Sequence, residues 1–138
     1  MHSESALIGD TMPNETIIMI QPAFEDERGI ITNILDKDIS HIAIITSKKG
    51  AIRANHYHPE QTQYEYLISG EYESYSKDLR KEDAETEKSI IAPGSLVITP
   101  KMIAHAMKFT KDSVMLNITT GARDSKDYEE HTKKYKLI

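Results

Sequence analysis

From residue 16 to about residue 119 the chain breaks into short apolar runs separated by turn residues, the pattern of strands rather than of amphipathic helices. "TIIMIQ" (16–21) is the first predicted strand. "GIITNILD" (29–36) follows the turn "EDERG". "HIAIITS" (41–47) is mostly apolar, as a strand buried on both faces is. "AIRANHYH" (51–58) comes after the turn "SKKG". "TQYEYLIS" (62–69) alternates in part. "EYESYSK" (71–77) alternates cleanly, with Tyr72 and Ser74 on one face and Glu71, Glu73 and Tyr75 on the other. The charged stretch 78–88 reads as a solvated loop or hairpin. "SIIA" (89–92), "LVITP" (96–100), "AHAMKF" (104–109) and "SVMLNITT" (113–120) complete the set.

The two ends differ from this pattern. Residues 1–15 hold little core-forming material and read as a flexible arm. Residues 121–138 read as a short helix. Within "SKDYEEHTKKYKL" (125–137), Tyr128, His131 or Thr132, and Tyr135 fall at helical spacing, with Ser125 as a cap and lysines toward the end. The middle, 16–120, forms the predicted domain. About ten short strands without βα alternation or a fixed repeat point to a β-sandwich or a jelly-roll barrel. Barrels of this kind offer a ligand site in the mouth.

Composition narrows the function. The 138 residues fit one domain. The net charge of -5 lacks the basic surface that nonspecific nucleic-acid binding needs. There are no cysteines, so disulfides, zinc–thiolate sites and cysteine nucleophiles are excluded. Any metal must take histidine, carboxylate, amide or water ligands. The N-terminal stretch has neither a basic n-region nor an apolar h-region, and no apolar run approaches a membrane span; the expectation is a cytoplasmic protein with no membrane partner. Apolar edge strands lead us to expect a homodimer.

The chemistry concentrates in "GAIRANHYHPEQTQYEYLISG" (50–70). His56 and His58 are two apart, so on a strand both point to one face, as two ligands of one metal must. His105 closes a second stretch, "PGSLVITPKMIAH", which strand pairing can bring beside the first. By themselves these residues suit a metal centre, an acid–base pair or polar surface.

Here the chain resembles the cupins. Their first motif is glycine, five residues, His-x-His, three or four residues, glutamate, six residues, glycine. This chain has Gly50, five residues, His56-Tyr57-His58, four residues, Gln63, six residues, Gly70. Their second motif is glycine, five residues, Pro-x-Gly, two residues, histidine, matched by Gly94, Pro100-Lys101-Met102 and His105. Gln63 stands in place of the usual glutamate, Met102 in place of the second glycine, and Phe109 where many members have asparagine. The resemblance implies an all-β, single-domain cupin jelly-roll barrel. It also implies a divalent transition metal on His56, His58, Gln63 and His105. Three neutral imidazoles suit iron, manganese, nickel, copper or zinc. Glu65 points to the same strand face as Gln63 and could replace it.

A narrower resemblance bears on substrate. "FEDERGIITNIL" (24–35), Arg53-Ala54-Asn55-His56-Tyr57-His58 and Pro100 to His105 resemble cupins that modify nucleotide-linked sugars: the dTDP-4-dehydrorhamnose 3,5-epimerases and the dTDP-4-keto-6-deoxyhexose 3,4-ketoisomerases. This resemblance implies His56 as the base that enolises a keto sugar, with Tyr66 and Tyr72 as candidate catalytic acids. Arg53, Arg28 and Tyr64 become candidate substrate contacts, Arg28 from a neighbouring strand or subunit. Arg53 and His56 are three apart, so they share a pocket only if the strand is bulged. The alternatives are a metal-dependent dioxygenase or lyase on another small oxygenated substrate, and a non-catalytic small-molecule-binding module.

Overall fold

The computed structural model describes residues 13–121 and 132–138. Ten strands run in chain order among them: β1 (Thr16–Met19), β2 (Phe24–Asp26), β3 (Gly29–Ile31), β4 (His41–Ser47), β5 (Ile52–Tyr57), β6 (Thr62–Asp78), β7 (Glu87–Ile91), β8 (Ser95–Thr99), β9 (Ile103–Thr120) and β10 (Lys133–Lys134). All pairings are antiparallel. The fold is an all-β cupin jelly roll.

Two long bent strands organise it. The first half of β6 pairs with β8 and with the last part of β9, which in turn holds β4. The second half of β6 pairs with β7 and with the first part of β9, which holds β5. Each long strand thus serves both walls, as strands that turn a corner do. The sequence predicts two strands in each case because the bends carry turn residues. In β6 the register slips between Leu67 and Tyr72, where Gly70 has φ 97°. A Cβ on Gly70 would overlap Ser113 Oγ and lie 2.5 Å from the Asp112 carbonyl oxygen. Only glycine fits this corner.

Between the walls lie Leu67, Tyr72, Ile91, Val97, Met107, Phe109 and Met115. A second cluster lies on the opposite face of the first wall. Tyr64, Leu96 and Ile118 meet Ile20, Ile34, Leu35 and Tyr66 there. Strand β4 is not buried on both faces as its composition suggests: Ile42 is 55% and Ile44 70% exposed. Strands β2 and β3 form a separate two-stranded ribbon with Phe24, Ile30 and Ile31 exposed.

The ends depart from expectation. Residues 1–12 of the expected arm lie outside the described residues, but Asn14 and Glu15 are fixed. Asn14 Nδ2 donates to the Ser76 carbonyl, and Glu15 is buried. The expected C-terminal helix is corrected where the structure describes it. Residues 132–138 are extended, and Lys133 and Lys134 pair with β5. Their backbone bonds go across to that strand rather than along a helix. The remainder of the predicted helix, 122–131, lies outside the described residues. No helix among the described residues is long and apolar enough to cross a membrane.

Candidate active site

The pocket is made by an irregularity in β5. Arg53 opposes Met107 on β9 and Ala54 opposes Ala106, but His56 rather than Asn55 opposes His105. Asn55 is therefore an extra residue, and the bulge turns His56 to the face that Arg53 already occupies. Its backbone signature is two consecutive left-handed residues, Ala54 at φ 70° and Asn55 at φ 54°. Glycine takes this conformation without strain, and neither residue is glycine. Met102, at φ 65°, is also left-handed. Its amide donates to the His58 carbonyl at 2.9 Å.

Three imidazoles converge as a result. The His56 ring lies 4.9 Å from that of His58 and 4.8 Å from that of His105, centroid to centroid. One potential ligand nitrogen of each lies within 4.8 Å of the other two. Gln63 is buried on the adjacent strand, and its Oε1 has no hydrogen-bond partner. His56 Nε2 and both nitrogens of His105 are also buried without one. Polar atoms left this way cost about 1–3 kcal/mol each, so the arrangement is costly unless a ligand completes it. Burial favours the neutral form of His56 and His105, the form in which imidazole binds a transition metal, and the Gln63 amide carries no charge. The donor set fits a divalent transition metal.

Beneath the imidazoles lie two buried carboxyl groups. Glu15 accepts hydrogen bonds from Ser74 Oγ and Thr99 Oγ1, both at 2.6 Å. Glu65 accepts one from Asn117 Nδ2 at 3.1 Å. Each approaches His105 Nδ1 to 3.9 Å, too far for a hydrogen bond. Burial keeps His105 neutral, with its pKa well below the ordinary value, so these are not ion pairs. Burial also raises the Glu15 carboxyl despite its two hydroxyl donors. Burial and the neighbouring Glu15 lift Glu65 to about 7. His56 moves the other way, to about 4, because of burial and the adjacent His58, partly offset by Gln63.

A pocket of about 350 Å³ opens over this group. Its polar wall is His41, Arg53, His56, Gln63, Glu65 and Asn117. Arg53 is held by its own hydrogen bonds, Nε to Ser47 Oγ at 2.8 Å and Nη2 to the Thr46 carbonyl at 2.9 Å.

Of the residues singled out from sequence, His56, His58, Gln63, Glu65, His105 and Arg53 come together here. The others do not. Tyr64 and Tyr66 face the second apolar cluster, on the opposite face of β6 from Gln63 and Glu65. Tyr72 is buried against Phe109, ring centroids 5.1 Å apart, and its hydroxyl is held protonated by burial and the nearby carboxyls. Arg28 sits on the β2–β3 ribbon and chelates Asp26 through Nε at 3.0 Å and Nη2 at 2.7 Å. Sequence reasoning missed Glu15, His41 and Asn117. Asn117 had a signal, since it is two residues from Met115 and from Thr119 on the inward face. Glu15 had none beyond its place just before the first strand.

Fold and site together define a cupin jelly roll with a histidine-rich polar pocket. No protein-family model matches the sequence, and no curated protein matches it. Solved structures do match in three dimensions. A dTDP-4-dehydrorhamnose 3,5-epimerase from Sulfolobus tokodaii superimposes with a TM-score of 0.69 at 17% identity, over 86% of this chain and 75% of that one. A 3,4-ketoisomerase from Helicobacter canadensis gives 0.70 at 19% identity, over 86% and 89%. The 3,4-ketoisomerase from Thermoanaerobacterium thermosaccharolyticum, in complex with TDP-4-keto-6-deoxyglucose, gives 0.68 at 19% identity, over 88% and 87%. At these identities the likeness is one of fold.

Proposed function

We propose that the chain is an isomerase or epimerase of a nucleotide-linked keto sugar and acts by enolisation in this pocket. The observation that carries the reading is the inverted order of two titratable groups on one wall. In water a glutamate gives up its proton before a histidine does. Here Glu65 holds its proton up to about 7 while His56 is free of one down to about 4. Groups pushed apart in this way identify the acid and the base of a proton-transfer site. Just below neutral pH the wall presents an imidazole that accepts a proton next to a carboxyl that still carries one.

The chemistry follows. His56 takes the proton from the carbon beside the ketone, the C–H pair moves into the enolate, and a protonated group returns a proton at the same or the neighbouring carbon. Developing negative charge on the sugar raises the basicity of His56 as the step proceeds. Arg53, fixed by Ser47 and Thr46, supplies a permanent cation for the enolate or the diphosphate. The fold neighbours named above include a structure holding TDP-4-keto-6-deoxyglucose, which makes that compound the first substrate to test. Incubation should give an isomeric keto sugar, seen by proton NMR. No product from any nucleotide-linked keto sugar would contradict the proposal.

The converging imidazoles favour a second component. A divalent transition metal on His56, His58, His105 and Gln63 would polarise the ketone as a Lewis acid. His56 Nε2 cannot be ligand and base at once, so the proton abstraction by His56 described above belongs to the metal-free site. The exposed β4 face and the apolar β2–β3 ribbon support a homodimer. Sedimentation showing a monomer at micromolar concentration would contradict it.

A further inference from the structure

The strand that carries Arg53, His56 and His58 is held on both sides. β9 pairs with one edge of β5, and residues 133–134 with the other, Lys133 opposite Tyr57 and Lys134 opposite His56. The chain then closes on the bulge residue itself. The Tyr135 amide donates to the Asn55 carbonyl at 2.8 Å. The Leu137 and Ile138 amides donate to Asn55 Oδ1 at 2.8 and 3.2 Å. Asn55 Nδ2 donates to the Ile138 carbonyl at 3.2 Å. Just upstream, Thr132 Oγ1 reaches His58 Nδ1 at 3.4 Å. The Tyr135 ring packs edge-on against Tyr57, 6.5 Å between centroids.

These contacts answer a physical need. A bulge leaves its extra residue outside the strand ladder. Asn55 and Ala54 also occupy a backbone region that costs about 1–3 kcal/mol per non-glycine residue and persists only where the surroundings over-determine it. The competing state is the regular register. It would place Asn55 opposite His105 and turn His56 away from Arg53, because a one-residue slip reverses every side chain.

We infer that Asn55 is a positioning residue, and that residues 132–138 form a clamp that acts through it. The clamp holds β5 in the bulged register, brings Arg53 and His56 to one pocket, and sets Thr132 Oγ1 beside His58 Nδ1. The inference rests on the proposed function only for why that pocket matters.

The test uses full-length chain in chelator without substrate, so its failure is distinct from failure of the isomerase reading. Long-range proton–nitrogen NMR reports the tautomer of each histidine ring, and hydrogen exchange reports the Tyr135 and Leu137 amides. Asn55→Gly accepts the left-handed conformation without strain but deletes the side-chain bonds. We expect it to fold, to shift the ring signals of His56 and His58 toward averaged tautomers, and to speed exchange at both amides by at least about tenfold. Asn55→Asp keeps the acceptor for Leu137 and Ile138 and should retain the wild-type ring pattern. Unchanged ring signals and amide protection in Asn55→Gly would overturn the inference. Should Asn55→Gly fail to fold, Leu137→Pro decides, since it deletes one bond to Asn55 Oδ1: shifted His56 ring signals support the clamp, and unchanged ones overturn it.

Discussion

Glu65→Gln removes one ionisable group from the floor of the pocket and leaves its shape and its acceptor for Asn117 in place. The wild-type carboxyl has its pKa raised on folding from 4.5 to about 7. A native acid that holds its proton more tightly makes the folded chain bind more protons than the unfolded chain across that window. Stability therefore falls as pH rises through it, and the penalty is complete above about 7. The size of the rise corresponds to about 3 kcal/mol. His56 contributes the opposite slope. Its pKa falls on folding from 6.5 to about 4, so its contribution is present above 6.5 and is lost as pH falls toward 4. The two slopes oppose each other where the windows overlap, and Glu65→Gln removes only the first. In urea unfolding with chelator, the variant should exceed wild type by about 2–3 kcal/mol near about pH 8, and by less than about 1 kcal/mol near about pH 5. An equal difference at both pH values, or a variant less stable than wild type at the higher one, would refute the reasoning.

Other outcomes follow from the same geometry. Gly70→Ala forces a Cβ to 2.6 Å from Ser113 Cα at φ 97°; it should cost at least about 3 kcal/mol, and a melting temperature near that of wild type would contradict this. Elemental analysis of untagged protein purified without chelator should find about one transition metal per chain, and His58→Ala should lose it; a metal-free wild type would remove the metal component. Gln63→Glu adds a charge to the donor set and should tighten metal binding at least about tenfold in a titration, while lowering stability in chelator. Arg53→Ala should lower kcat/KM at least about tenfold, through KM where its guanidinium meets the diphosphate and through kcat where it meets the enolate; an unchanged kcat/KM would contradict both roles.

The spacing of His56, His58 and His105 made the fold legible from sequence, since strand periodicity and two glycine-bounded motifs survive without knowledge of packing. The same periodicity should have separated Tyr64 from Gln63, because neighbours on a regular strand cannot share a face. The bulge was legible only as a requirement. Arg53 and His56 share a pocket only if β5 is irregular, but nothing local marks Asn55 as the extra residue. Its conformation is fixed by residues 135–138, some eighty positions along the chain. Glu15 was hidden for a similar reason. Its burial comes from Ser74 and Thr99, which only the folded chain brings near. The tail misled because lysines and tyrosines at helical spacing also suit an edge strand, and β5 offers it an open edge to pair with.

In the proposed reaction His56 removes a proton from a carbon next to a ketone. Wild type and His56→Asn should be incubated in chelator with TDP-4-keto-6-deoxyglucose in deuterated water, and the sugar followed by NMR. Wild type should place deuterium at C3 or C5, and the variant should do so at least about a hundredfold more slowly. Exchange by the variant at the wild-type rate, or none by wild type, would contradict it.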